Sequence, residues 1–213
     1  MPQAAAAPIA NACCAGVLPR PRESGQNGAM SEIKIRPARP GDARSIAKLD
    51  VETWRSTYAG ILSAAYLVGL SERRREIGWR NVILREPRDV RIAVNAGETV
   101  LGFGSCGPSY GDPRFSGEVF TLYVAPDWQN RGVGRSILYA LFRRLVAAER
   151  PSALVWVLRN NPSRFFYERL GGRPVGRKLF RVAGETVEAA AYGWPDLRGF
   201  LAAAAKDGRE PEA

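Results

Sequence analysis

Gln129, Arg131, Gly132, Gly134 and Arg135 fall within one short stretch, "QNRGVGR", between an apolar run ending at Val124 and an amphipathic run opening at Val133. Two glycines keep side chains off the backbone just where a helix would begin. First-turn amides of a helix have no acceptor within the helix, and the helix dipole adds positive potential there. With two guanidinium groups alongside, such a turn suits a bound phosphate or diphosphate. Neither the lysine nor the Ser/Thr that completes a P-loop follows the glycines, which disfavours a nucleoside triphosphate.

The chain has no histidine. Ser-His and Cys-His nucleophile pairs, and most catalytic zinc sites, are therefore excluded. Proton transfer must fall to carboxylates, tyrosine, cysteine or lysine. The three cysteines make neither a disulfide framework nor a metal-ligand spacing, and Cys106 reads as a small apolar residue inside a strand. A reducing, cytoplasmic setting follows as the expectation.

A second glycine pattern, "GFGSCG" over Gly102 to Gly107, satisfies the G-x-G-x-x-G spacing of dinucleotide-binding turns. That chemistry needs the glycines at a strand-to-helix turn. Here they sit inside a strand and Pro108 follows, so close approach of neighbouring atoms is the better account of them.

A helix delivered by a strand implies an α/β organisation around these residues. "IKIRPAR" alternates as a strand, Pro40-Gly41 ends it, and Asp42 is placed to cap the next helix, with Ile46, Leu49, Val51 and Trp54 on its apolar stripe. Gly60 breaks that helix, Ser63 offers the next cap, and a run from Ser71 to about Leu84 carries Arg73, Arg74 and Arg75 as a solvated face. Two strands follow around Ala96-Gly97, then "GEVFTLYV", the glycine turn and a helix with Val133, Ile137, Leu138, Leu141, Leu145 and Val146 on one side. "ALVWVL" reads as a strand buried on both faces, "SRFFYERL" as a short helix stopped by Gly171-Gly172, and the remainder as a hairpin around Gly184. This order implies one mixed sheet with helices on its faces.

The net charge of +10 lies almost wholly on residues 30–198. It attracts phosphates, whether of nucleic acid or of a small cofactor. Residues 1–29 are Ala/Pro-rich without the pattern of a secretory signal and read as a disordered extension or an overextended start, with Met30 as a natural beginning. Residues 30–198 read as one domain and residues 199–213 as a short polar tail. No apolar run approaches the roughly 20 residues that cross a bilayer.

At this point the chain resembles the GCN5-related N-acetyltransferase (GNAT) superfamily. "QNRGVG" fits its Q/R-x-x-G-x-G/A signature, "NNPSRFFYERLGG" resembles its later Asn…Phe-Tyr-Glu…Leu-Gly segment, and "GEVFTLYVAPDW" resembles the strand before the first of these. The resemblance implies a mixed, mostly antiparallel sheet of six to seven strands, splayed between the fourth and fifth. It also implies acetyl-CoA as co-substrate, no metal, and a small-molecule or peptide amine as acceptor, in a monomer or homodimer bound to neither nucleic acid nor membrane. The non-catalytic alternative is an acyl-CoA-binding sensor or scaffold module.

Carried over by position, the backbone of Leu122, Tyr123 and Val124 would run along the pantetheine arm. Gln129, Asn130, Arg131, Gly132, Val133, Gly134 and Arg135 would hold the diphosphate, and Asn160 or Asn161 would touch the cofactor. Ser163 stands where many relatives carry alanine. Glu118, eleven residues before Gln129, takes the place of a catalytic base or is a solvated strand-end glutamate. Tyr167 takes that of the acid, with Phe166 left to serve the core, or packs on the sheet with Phe165 and Phe166. Trp54 and Tyr58, four apart on one helical face, would line the acceptor groove or belong to the core.

Overall fold

The computed structural model describes residues 33–182 and 184–207; the extension read over 1–29 lies outside them. Seven strands form one sheet in the order β1-β2-β3-β4-β5-β7-β6. They are β1 (Lys34–Pro37), β2 (Val90–Val94), β3 (Val100–Pro108), β4 (Gly117–Val124), β5 (Ala153–Leu158), β6 (Arg173–Val182) and β7 (Glu185–Trp194). Neighbours are antiparallel except β4 and β5.

Alternating side chains feed a hydrophobic layer on each face. One collects Ile46 and Trp54 of α1 (Ala43–Thr57), Tyr58 at its C-cap, Leu67 of α2 (Ala64–Val68), and Trp79 and Ile83 of α3 (Glu72–Arg85), against Phe103, Tyr123, Leu154 and Trp156. The other packs Ile137, Leu138, Leu141 and Phe142 of α4 (Val133–Ala147), Tyr167 of α5 (Arg164–Arg169) and Leu197 of α6 (Leu197–Lys206) against Leu122, Val124, Val155 and Val157. The boundary read at residue 198 falls inside α6, because Phe200 packs edge-on to Phe142 and Tyr139 of α4.

The pairing of β4 opens the sheet at one end. β4 and β5 pair only through Gly117–Val119 opposite Ala153–Val155. Beyond that point they part, so the expected splay is present. On its other side β4 follows β3 throughout, with an irregularity that leaves Phe120 unmatched between the Thr121↔Ser105 and Val119↔Cys106 pairs.

The glycines of "GFGSCG" serve packing, as their strand context implied. A Cβ on Gly104 would stand 2.8 Å from Leu141 Cδ1 and 2.9 Å from the Thr121 carbonyl oxygen, and one on Gly102 would stand 2.8 Å from the Tyr123 carbonyl oxygen. Helix α4 can lie this close to the sheet only because those positions are bare. Gly104→Ala is therefore expected to destabilise the protein by about 1–3 kcal/mol through overpacking, measured as a lowered denaturation midpoint with an unchanged m-value.

Some local expectations gave way to tertiary partners. Asp42 makes no side-chain cap to α1; its carboxylate binds Arg36 at 2.8 and 3.1 Å and accepts from the Arg39 amide at 2.6 Å. Ser63 likewise caps nothing, and its own amide donates to Glu185 Oε1 at 3.0 Å. Arg73 and Arg74 are solvated, but Arg75 turns inward, 3.5 Å from buried Asp50 and over the Trp54 ring at 5.0 Å. Cys106 is buried in β3, and desolvation pushes its thiol up to about 12, so it is an inert packing residue. Among the described residues no helix is long and apolar enough to cross a membrane.

Candidate functional site

The glycine turn forms as β4 ends. A single helical turn at Pro126–Trp128 redirects the chain, then Asn130 (φ 60°) and Gly132 (φ 84°) take left-handed conformations that swing it into α4. Glycine adopts that conformation without the cost a side chain incurs. Gly132 stands at the N-cap and has no side chain to satisfy the first amides, so the amides of Val133, Gly134 and Arg135 open the helix without a side-chain cap. Gln129 Nε2 donates to the Val124 carbonyl at 3.1 Å, tying the turn to the strand end. Arg131 lies over the Trp128 ring at 5.3 Å, and the Nε of half-buried Arg135 has no hydrogen-bond partner.

A cleft of about 310 Å³ lies against this turn, with Asn130, Gly132 and Gly134 on one wall and Pro162, Phe165 and Phe166 on the other. The opening between β4 and β5 lies at the strand ends that lead into these two walls. On its β4 side Leu122, Tyr123 and Val124 are all buried. Leu122 and Val124 enter the α4 layer, and Tyr123 enters the opposite one, where its hydroxyl accepts from Trp54 Nε1 at 2.9 Å. Trp54 and Tyr58, with ring centroids 4.8 Å apart, belong to that core and support β4 from behind.

The two adjacent asparagines after β5 are unlike. Asn160 is exposed. Asn161 is 1% exposed; its Oδ1 accepts from the Ser163 amide at 2.9 Å, while its Nδ2 has no partner. A buried amide donor left unmatched costs about 1–3 kcal/mol, so a ligand acceptor at this place is chemically favoured. Ser163 Oγ is buried in the same condition. These donors, the uncapped helix and the parted strands fit an extended ligand with a diphosphate at one end and amide groups along its arm.

Glu118 is 4% exposed on β4, in register with Gly107 and Leu154. Desolvation pushes its carboxyl up to about 7, against the opposing pull of the Tyr110 backbone amide and the Lys178 ammonium. Such a group exchanges protons near neutrality, as a general base must. Tyr110 belongs to the loop between β3 and β4, which carries no periodic pattern and was not legible as part of a site.

Tyr167 is completely buried on α5, its ring 5.2 Å from that of Phe166, 6.4 Å from Tyr192 and 6.2 Å from Trp194. Phe166, expected to serve the core, packs on the α4 layer but stays partly exposed and lines the cleft, while Tyr167 is buried in that layer. Glu118 shares a face with Leu154, in the α1–α3 layer, whereas Tyr167 belongs to the α4 layer. The two thus approach the parted strands from opposite faces of the sheet. Among the described residues no cluster of acidic, cysteine or histidine side chains could hold a metal ion.

Residues 49–172 match the model of the acetyltransferase (GNAT) family. The chain is 32% identical over 166 residues to the uncharacterized N-acetyltransferase YuaI of Bacillus subtilis, covering 78% of this chain and 94% of that protein. It is 30% identical over 175 residues to a phosphinothricin N-acetyltransferase of Streptomyces coelicolor, covering 78% and 97%. The fold is similar to that of the PaiA N-acetyltransferase of Thermoplasma acidophilum in complex with coenzyme A, with a TM-score of 0.57, 21% identity, and coverage of 75% and 98%.

Proposed function

The chain belongs to the acetyltransferase (GNAT) family and moves acetyl from acetyl-CoA to an amine nitrogen, and we propose that its acceptor is the primary amine of a small molecule, met in the cytoplasm. The relative acting on phosphinothricin, matched over nearly its whole length, supports a small acceptor. The observation that carries the reading is the uncapped α4 N-terminus at left-handed Gly132, set at the mouth of the parted β4 and β5 strands.

In this reading the first-turn amides, with Arg131 and Arg135, bind the diphosphate. Asn161 Nδ2 donates to the pantetheine arm, and the β4 backbone from Leu122 to Val124 runs beside it. When bound, acetyl-CoA supplies an acetyl group activated as a thioester. Glu118 accepts the proton that the acceptor ammonium must lose, directly or through a water. The Tyr167 hydroxyl holds the proton for the departing sulfur.

Free-thiol release from acetyl-CoA over a panel of amino acids, diamines, amino sugars and short peptides tests this. Turnover is expected with a small amine, and Tyr167→Phe is expected to lower kcat about tenfold or more while leaving the acetyl-CoA affinity unchanged. Turnover confined to peptides would refute the small acceptor. Tight acetyl-CoA binding with no thiol released by any amine would point instead to a non-catalytic sensor.

A further inference from the structure

β3 runs on past the start of β2, whose first residue, Val90, pairs with Ser105. A second cleft, of about 350 Å³, opens at that free edge beside the C-terminal ends of α3 and α4. Neither Glu118 nor the glycine turn is among its walls. Three aromatic rings are. Trp79 is fixed by donating from its Nε1 to buried Asp50 at 2.9 Å. Phe120, left unmatched by the β3–β4 irregularity, lies where a Cβ on Gly107 would meet its ring at 2.8 Å, and it stacks on Tyr110 with centroids 6.3 Å apart. Tyr110 keeps 78% of its surface exposed, so this aromatic pair stands open instead of being packed into the core.

The charge around this cleft is unbalanced. The Cys106 thiol in its wall feels the guanidinium groups of Arg91, Arg144 and Arg150 against the single carboxylate of Asp89. Asp89 is already committed to Arg144, at 2.7 Å. Half-buried Arg150 lines the cleft with one long hydrogen bond, to the Ala148 carbonyl at 3.4 Å, and no ion pair among the described residues. The other lining carboxylate, Glu86, is exposed to solvent. Burial holds the Arg91 guanidinium below its ordinary value, and the Arg144 charge adds to that. An anion relieves such an excess.

We propose that this cleft is a second ligand site, apart from the acetyl-transfer centre, and that it takes a small carboxylic acid with an aromatic body, the ring against Trp79, Tyr110 and Phe120 and the carboxylate on Arg150. The inference goes beyond the acetyl-CoA reading and does not depend on it. A guanidinium pairs with a carboxylate through two parallel hydrogen bonds, and aromatic walls hold an aryl group by offset or edge contact. Helix C-terminal ends border the cleft and offer no free amides, so it lacks the row of donors that a diphosphate uses. A cationic ligand would meet the guanidinium excess.

Calorimetric titration of phenylacetate and of its uncharged amide, phenylacetamide, into the wild type, Arg150→Gln and Tyr110→Ala tests this, with thermal unfolding to confirm that each variant is folded. The wild type is expected to hold phenylacetate about tenfold more tightly than the amide, the difference one charge-assisted pair makes. Arg150→Gln should erase that difference by weakening phenylacetate alone, and Tyr110→Ala should weaken both ligands by a similar factor. Saturating acetyl-CoA should leave the phenylacetate affinity unchanged. The assignment is overturned by an absence of saturable heat from phenylacetate, by equal wild-type affinity for acid and amide, by an Arg150→Gln variant that loses both equally, or by displacement of phenylacetate by acetyl-CoA. The wild-type comparison stands however the variants fold.

Discussion

Glu118→Gln is expected to lower kcat by about 10²- to 10⁴-fold, the usual range for losing a positioned general base, with the acetyl-CoA dissociation constant unchanged. Gln keeps the shape and still accepts from the Tyr110 amide, but it cannot take a proton. The carboxyl, raised to about 7, predicts that wild-type kcat/KM climbs as pH rises through neutrality, and that the variant loses this limb. The same group makes a statement about stability. Its ordinary value is 4.5, so between pH 4.5 and 7 the folded protein retains a proton that the unfolded chain has released. Stability therefore falls as pH rises through that window, and the penalty is complete above about pH 7. At about 1.4 kcal/mol per unit the ceiling is about 3 kcal/mol. Glu118→Gln removes it, so the variant should unfold at a higher temperature than the wild type at pH 8 and show no such gain at pH 4. A residue that costs stability in order to hold a neutral-pH carboxyl is what a catalytic role predicts; a solvated strand-end glutamate would move neither measurement.

The second large effect is expected at Gly132. A side chain there meets open space, the nearest atom being Arg135 Nη2 at 3.9 Å, so the fold should survive substitution. At φ 84°, however, any L-residue is strained by about 1–2 kcal/mol. A glutamate adds a carboxylate beside the diphosphate, and like charges about 4 Å apart repel by about 4 kcal/mol near a protein surface. Gly132→Glu is therefore expected to raise the acetyl-CoA KM by about 100-fold or more, and Gly132→Ala, which carries the backbone strain alone, by about tenfold. Steady-state kinetics with both variants separates charge from strain, and added salt should narrow the gap between them.

The glycine turn was legible because its signal is local: a buried strand, two bare positions and an amphipathic helix determine where the amides point. The splay entered through the resemblance, and the short β4–β5 pairing is the physical form it takes. Other features depend on contacts that no local pattern carries. Asn160 and Asn161 are neighbours of one type, and only the path of the chain after β5 buries the second. Phe166 and Tyr167 are both aromatic on a helix of six residues, too short for a periodic stripe to show which one faces inward. Asp42 has the sequence of a cap, yet Arg36 offers its carboxylate a bidentate partner, and a charged pair outcompetes a lone cap. Trp54 and Tyr58 share a helical face, as their spacing implies, but that face turns toward Tyr123 and the core.

The central claim is that bare amides at the start of α4 grip the coenzyme's diphosphate. Calorimetric titration of acetyl-CoA into the wild type and Gly132→Glu, at matched ionic strength, tests it most directly. Saturable one-site heat from the wild type, weakened at least 100-fold in a variant that still unfolds cooperatively, is the predicted result. No heat from the wild type, or equal affinity in the two proteins, would contradict it.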